Sequence, residues 1–175
     1  MQREVDVLRA VSLDLDGVSH PCSAVEGLQP SLMMYGGYQQ AVVDRGLFRW
    51  LPKLHEVLLG HPDVCLVVHS KWRAILSNSD LVSILGGLGD RLLGVTDLSL
   101  PRAQGIEAFM DAAGVDSWVA IDDDVRAFAG LEDRLIATDP DLGLADPRVT
   151  ERLMEWLQDG DRPRLAAERF AGAAA

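Results

Sequence analysis

The chain has 175 residues, 48% of them hydrophobic and 25% charged, a balance that excludes a disordered or collagen-like chain and suits one globular core. Its formal charge of −11, from 27 acidic against 16 basic residues with Lys53 and Lys71 the only lysines, opposes non-specific attraction to a nucleic-acid backbone. No apolar run approaches the roughly 18 residues of a membrane-spanning helix, and the opening MQREVDVLRAVSLDLDG carries charges where a signal peptide is apolar, so the expectation is a cytoplasmic protein with no membrane partner.

Val5 to Leu15 reads as a strand ending in Asp-Gly. Ser19 to Gly46 is the longest irregular stretch; it holds Met33, Met34, Tyr35 and Tyr38 around the pair Gly36-Gly37. Loops this long in compact domains are usually functional or mobile. The tyrosines either recognise a base or another protein or tuck onto the core, and the glycine hinge favours a movable flap over 19–46. Phe48 to Leu59 repeats apolar residues at helical spacing and stops at Gly60. Val64 to Val68 is a buried strand, and Ser79/Asp80 are placed to cap a helix Leu81–Leu88 closed by Gly86, Gly87 and Gly89. Arg91 to Val95 reads as a short strand, Pro101 to Ala113 as a helix ended by Gly114, and Trp118 to Ile121 as another buried strand. Arg134 to Ala137 and Pro147 to Leu157 make a last strand and helix. These elements form one domain over 1–158, and the tail 159–175 carries no structural signal.

Continuous apolar strands alternating with helices imply a mainly parallel sheet covered on both faces, an α/β, three-layer architecture. Ligands in such sheets sit beyond the carboxyl ends of the strands. The residues there are Asp14, Asp16, His69, Ser70, Asp122 and Asp123. Four carboxylates at one edge either share protons or bind a cation, and Mg²⁺, a hard ion preferring oxygen, also carries phosphate as a ligand. The Ser70 hydroxyl can donate to a phosphoryl oxygen, Lys71 and Arg73 follow at once, and Arg102 opens the Pro101 helix, where cation and helix N-terminus both favour an anion. Arg91 or Lys71 is the alternative basic partner. His69 reads as a strand residue hydrogen-bonded inside the fold, His20 as either structural or able to reach the site, and Trp72 as packing its helix on the sheet. Arg73 either binds phosphate or pairs with an acidic neighbour such as Asp123. Cys22 and Cys65 have no ligand spacing and read as small, reduced apolar side chains.

V-S-L-D-L-D-G-V at 11–18, V-V-H-S at 67–70, Arg102, and V-A-I-D-D at 119–123 resemble, in order, the four motifs of the haloacid dehalogenase (HAD) superfamily. More narrowly, D-G-V-S-H-P at 16–21, S-K-W-R at 70–73, R-L-L-G-V-T at 91–96, R-A-Q-G-I-E at 102–107 and I-D-D-D at 121–124 resemble the HAD-like domains grouped with Swiss Army Knife RNA-repair proteins. The resemblance implies a Rossmann-like HAD fold and a Mg²⁺-dependent phosphohydrolase working through an aspartyl-phosphate. Asp14 would be the nucleophile and Asp16 the acid and base, with Ser70 and Arg102 holding the phosphoryl group and Lys71 and Arg73 assisting. Mg²⁺ would be held by Asp14, the Asp16 carbonyl and Asp123, with Asp122 direct or through water. Too few residues separate the first motif from the Phe48 helix for a full cap domain, and capless members are similar to those acting on large substrates or closing the site as homo-oligomers. The implied substrate is a nucleotide or polynucleotide end phosphate, although the acidic charge leaves a small metabolite or phosphoprotein open. The alternative, from another class, is a non-catalytic binding module that uses the 19–46 segment.

Overall fold

The structure is a computed structural model and describes residues 8–33 and 37–159. Five parallel strands form one sheet in the order β3-β2-β1-β4-β5: β1 (Arg9–Leu13), β2 (Val64–Val68), β3 (Leu92–Val95), β4 (Ser117–Asp122) and β5 (Leu135–Ala137). The alternating pattern therefore folds as expected, with β1 between two parallel neighbours. The segment before Leu8, where the first strand was expected to begin, lies outside the described residues.

Both faces of the sheet are covered. Val11 and Leu13, Leu66 and Val68, and Val119 and Ile121 point to one face, where they pack against α3 (Leu51–Leu58), α4 (Asn78–Leu85) and α6 (Pro147–Asp159) through Leu54, Leu81 and Leu153. Ala10, Val67, Trp118 and Ala120 point to the other, under Ile106 and Met110 of α5 (Arg102–Ala113). Each fully buried aliphatic side chain stabilises the fold by about 1.5–3 kcal/mol. In α6 the buried residues Val149, Leu153 and Leu157 recur every four positions, so one stripe meets the core.

Several boundaries move for local reasons. The cap of α4 is Ser77, not Ser79: its hydroxyl accepts from the Asp80 N–H while the Asp80 carboxylate accepts from the Ser77 N–H. The helix α3 starts at Leu51 because Phe48 adopts a left-handed φ of 62° and sets its ring edge-on to His20 and Trp72, with centroids at 5.0 and 5.1 Å. At the end of α5, Gly114 has the left-handed φ of 66° expected of a helix stop.

The stretch from Ser19 to Gly46 is less irregular than expected and is not a full cap domain. It contains a 3₁₀ turn (Cys22–Val25), the single-turn helix α1 (Pro30–Met33) and α2 (Tyr38–Arg45). Tyr38 is buried and its hydroxyl donates to Asp80 at 2.9 Å, which ties α2 to the start of α4. This tyrosine tucks onto the core; Met34, Tyr35 and Gly36 of the proposed flap, and the tail from 160 onward, lie outside the described residues. No helix among the described residues is long and apolar enough to cross a membrane.

Candidate active site

Parity and register build the site. Leu13 pairs with Val68 on one side and Ile121 on the other, so the next residues of the three strands, Asp14, His69 and Asp122, stand abreast. The ladder continues to them: the Asp14 N–H donates to Ile121 and the His69 N–H to Leu13. By strand alternation all three share the face of Ala10, Val67 and Ala120, beneath α5. Their ligand atoms lie within 4.8 Å of one another, a grouping able to hold a metal ion.

This inner group is buried and closely paired. His69 Nε2 lies 2.7 Å from Asp122 Oδ2, and its Nδ1 lies 2.7 Å from the Ser12 hydroxyl, so His69 is the internally hydrogen-bonded strand residue its position indicated. Arg102, the first residue of α5, donates through Nη1 to both Asp122 oxygens at 2.6 Å and reaches Asp14 Oδ2 at 3.3 Å. Burial raises the proton affinity of Asp14, and the charge on Asp122 adds to it, while His69, Arg102 and Ser70 act in the opposite direction. Burial would raise Asp122 as well, but the His69 hydrogen bond, the Arg102 charge and the Asp124 N–H together hold it below the usual carboxylate range.

The outer group faces a cleft of about 520 Å³ whose walls include Asp14, Asp16, Cys22, Lys71, Arg102 and Asp123. Gly17, just past Asp16, has φ of 70°, and a Cβ there would sit 2.7 Å from Asp123 Cγ. Glycine is therefore required both by the turn and by the approach of Asp123. Among the described residues the side-chain donor to Asp123 is the Cys22 thiol, weakly, at 3.4 Å; burial and the neighbouring Asp122 charge push its proton affinity up, against that thiol and its own backbone N–H. The Cys22 thiol is itself pushed up to about 12 by burial and by Asp123, which leaves it an unreactive thiol at neutral pH.

Asp16 is held from two sides. Its Oδ1 accepts from Trp72 Nε1 at 2.6 Å and lies 3.0 Å from His20 Nε2. The Phe48 N–H donates to His20 Nδ1, so the ring proton belongs on Nε2 and points at Asp16. Burial would raise Asp16, but the His20 and Trp72 hydrogen bonds outweigh it and lower its proton affinity. His20 thus reaches the site, and Trp72 does more than pack. Its donor role was not readable from the sequence, since 56 positions separate the two residues.

The remaining expected site residues divide. Ser70 is fully buried at the end of β2, and its hydroxyl accepts from the Trp72 N–H. Lys71 is exposed at the cleft. Arg73 turns inward: its guanidinium donates to the carbonyls of His69, Ser70 and Thr96. It clamps the loop after β2 and pairs with neither Asp123 nor any other carboxylate among the described residues. Arg91 likewise donates to the carbonyls of Leu58, His61 and Val64, at the opposite end of β2 from the cleft, which leaves Arg102 as the arginine beside Asp14.

Residues 10–149 match the family described as the HAD domain in Swiss Army Knife RNA repair proteins. The chain belongs to this HAD family. The match covers all five strands and the acidic edge, and membership suggests hydrolase chemistry on phosphate. The chain is also 31% identical over 119 residues to a protein of Saponaria officinalis named UDP-glucosyl transferase 79T1, covering 64% of this chain and 24% of that protein. It therefore spans about a quarter of that relative's length. No solved structure matches this HAD domain significantly.

Proposed function

We propose that the protein is a Mg²⁺-dependent phosphohydrolase working through an aspartyl-phosphate on Asp14. The observation that carries this reading is the placement of Arg102 at 3.3 Å from Asp14 Oδ2, beside a cleft that also presents Asp16 and Lys71. Asp14 Oδ1 accepts from the Leu15 N–H at 2.8 Å, which fixes the carboxylate and leaves Oδ2 as the attacking oxygen.

In the first step Asp14 Oδ2 forms a bond to phosphorus as the bond from phosphorus to the leaving oxygen breaks. Arg102, Lys71 and the Ser70 hydroxyl supply positive charge and donors to the phosphoryl oxygens. Asp16 gives its proton to the leaving oxygen. The two donors on Oδ1 keep Asp16 ionised in the free protein, but a phosphoryl dianion arriving beside it raises its proton affinity again, because like charges favour the neutral acid. In the second step water attacks phosphorus, Asp16 takes the water's proton, and the Asp14 carboxylate leaves.

The donor set suits a hard cation. Asp123 is a half-buried carboxylate with one weak donor, Asp14 lies across from it in the same cleft, and both offer oxygen. Asp14, the Asp16 carbonyl and Asp123 would hold Mg²⁺, with Asp122, whose two oxygens are already engaged by Arg102, His69 and the Asp124 N–H, acting only through water. When bound, the ion offsets the negative charge of nucleophile and phosphate. The all-oxygen outer set suits Mg²⁺ better than the inner Asp14, His69 and Asp122 group, where Asp122 is already engaged by Arg102 and the nitrogen ligand is softer.

The family match supports a nucleotide or polynucleotide end phosphate as substrate, and the −11 charge favours a short one. Hydrolysis of p-nitrophenyl phosphate with Mg²⁺ tests the reaction. Activity is expected to vanish with EDTA and return on adding Mg²⁺. Turnover that survives EDTA would contradict the metal-dependent reading.

A further inference from the structure

Beside the cleft lies a second hollow of about 210 Å³, with walls formed by Val25, Leu28, Pro30, Trp72 and Ile75. Asp16, Val25 and Lys71 border both spaces, so the two join at the carboxylate assigned to the leaving oxygen. Their chemistry differs sharply. Carboxylates and arginines dominate the cleft, whereas the hollow offers aliphatic side chains and an indole.

We propose that this hollow seats the leaving group, and that the natural substrate is a phosphate monoester whose leaving group carries a compact apolar or aromatic ring. The proposal rests on the phosphohydrolase reading above and names the substrate class for it. Proton transfer from Asp16 to the leaving oxygen requires the leaving group to extend past Asp16, and the hollow begins there. Pockets for drug-sized ligands occupy about 300–1,000 Å³, so this smaller space takes one ring and not an extended chain. Among the described side chains that line it, Asp16 and Lys71 at the shared edge are the polar ones left for a ligand, because the Trp72 indole N–H is already given to Asp16. A polyol leaving group would lose its water contacts there without replacement.

The wall is preorganised. Trp72 is buried, meets Phe48 and His20 edge-on with centroids at 5.1 and 6.3 Å, and is anchored through its own N–H. A ring entering the hollow finds an indole that needs no reordering. Two sources share this chemistry: aryl phosphates, whose ring sits directly on the leaving oxygen and enters the hollow at once, and nucleotides, whose base reaches it with the ribose left at the open shared edge beside Asp16 and Lys71.

The test separates the hollow from the reaction. Calorimetric titration with phenylphosphonate and methylphosphonate, in the presence of Mg²⁺, needs no turnover. Phenylphosphonate is expected to bind about tenfold or more tighter to the wild-type protein, from the apolar area of one buried ring. Leu28→Trp, which fills the hollow, should bring that ratio toward one. Equal affinities in the wild-type protein overturn the proposal even if the enzyme is active. With turnover, Leu28→Trp should lower kcat/KM for phenyl phosphate or adenosine 5′-monophosphate relative to glycerol 2-phosphate, and the larger relative fall names the source; no relative fall for either overturns the assignment. Selective phenylphosphonate binding without hydrolysis of any ester would instead remove the phosphohydrolase reading and leave the hollow standing.

Discussion

Asp122 and Asp123 leave the same strand one after the other and meet opposite surroundings. Asp122 turns under α5, where His69, Arg102 and the Asp124 N–H satisfy it and lower its proton affinity. Asp123 turns into the cleft, where one thiol serves it and its proton affinity rises. Asp14 and Asp16 extend the contrast: the inner half of the edge is paired within the protein, and the outer half leaves oxygen atoms for a ligand. Among the described residues Asp16 Oδ2 has no protein donor. The inner half holds geometry and the outer half meets substrate.

That division can be broken most severely at Asp14, the residue common to both halves. Asp14→Asn should lower p-nitrophenyl phosphate turnover by about 10⁴-fold or more, because no other group can form the covalent intermediate. Arg102→Met comes next. It removes the cation shared by Asp14 and Asp122, with an expected loss of about 10²–10³ in kcat/KM. It should also cost stability of about 3–5 kcal/mol in urea unfolding, since Asp122 is left buried beside one partner fewer.

A paired comparison sharpens the contrast. His69→Ala takes the ring partner from the buried Ser12 hydroxyl and leaves Asp122 Oδ2 to Arg102 alone, and should destabilise by about 1–3 kcal/mol. Cys22→Ala removes only a weak donor from Asp123 and should stay within about 0.5 kcal/mol. Equal costs in urea denaturation would erase the distinction between the halves.

One substitution should bring a gain in stability. Burial raises the folded-state proton affinity of Asp14, so its contribution to stability is fully present below the unfolded value of 3.8 and is lost as pH rises through the folded value. At neutral pH the charged form is therefore a cost, and Asp14→Asn should stabilise by about 0.5–2 kcal/mol. The difference in Tm between variant and wild type should shrink as the solution is acidified toward pH 3.8. A variant less stable than wild type at neutral pH would show that Arg102 outweighs the burial of Asp14.

The acidic edge is legible in the sequence, but its division is not, because the adjacent Asp122 and Asp123 carry the same chemistry. Apolar strands ending in Asp14, His69 and Asp122 identify the carboxyl edge, and period-two alternation places all three on one face once the strand order is known. Arg102 could be placed from its position at a helix start. Other contacts depend on tertiary distance and have no local signal. Trp72 reaches Asp16 from a 3₁₀ turn on another segment, and Tyr38 leaves its loop to join the α4 cap. Arg73 shows the limit of residue chemistry: a guanidinium suits phosphate and backbone carbonyls alike, and only the path of the loop after β2 decides for carbonyls. The cap at Ser77 was missed by two positions, because Ser77, Ser79 and Asp80 all have capping chemistry and only the backbone selects among them.

The central claim is that Asp14 carries the phosphoryl group. The direct measurement is acid quenching during turnover of p-nitrophenyl phosphate, followed by mass spectrometry of the peptide containing Asp14. A phosphorylated peptide that appears with wild-type protein and Mg²⁺, decays once substrate is exhausted and is absent from Asp14→Asn is the predicted result. Sustained hydrolysis by Asp14→Asn, with phosphate released and no adduct at any time, would contradict it.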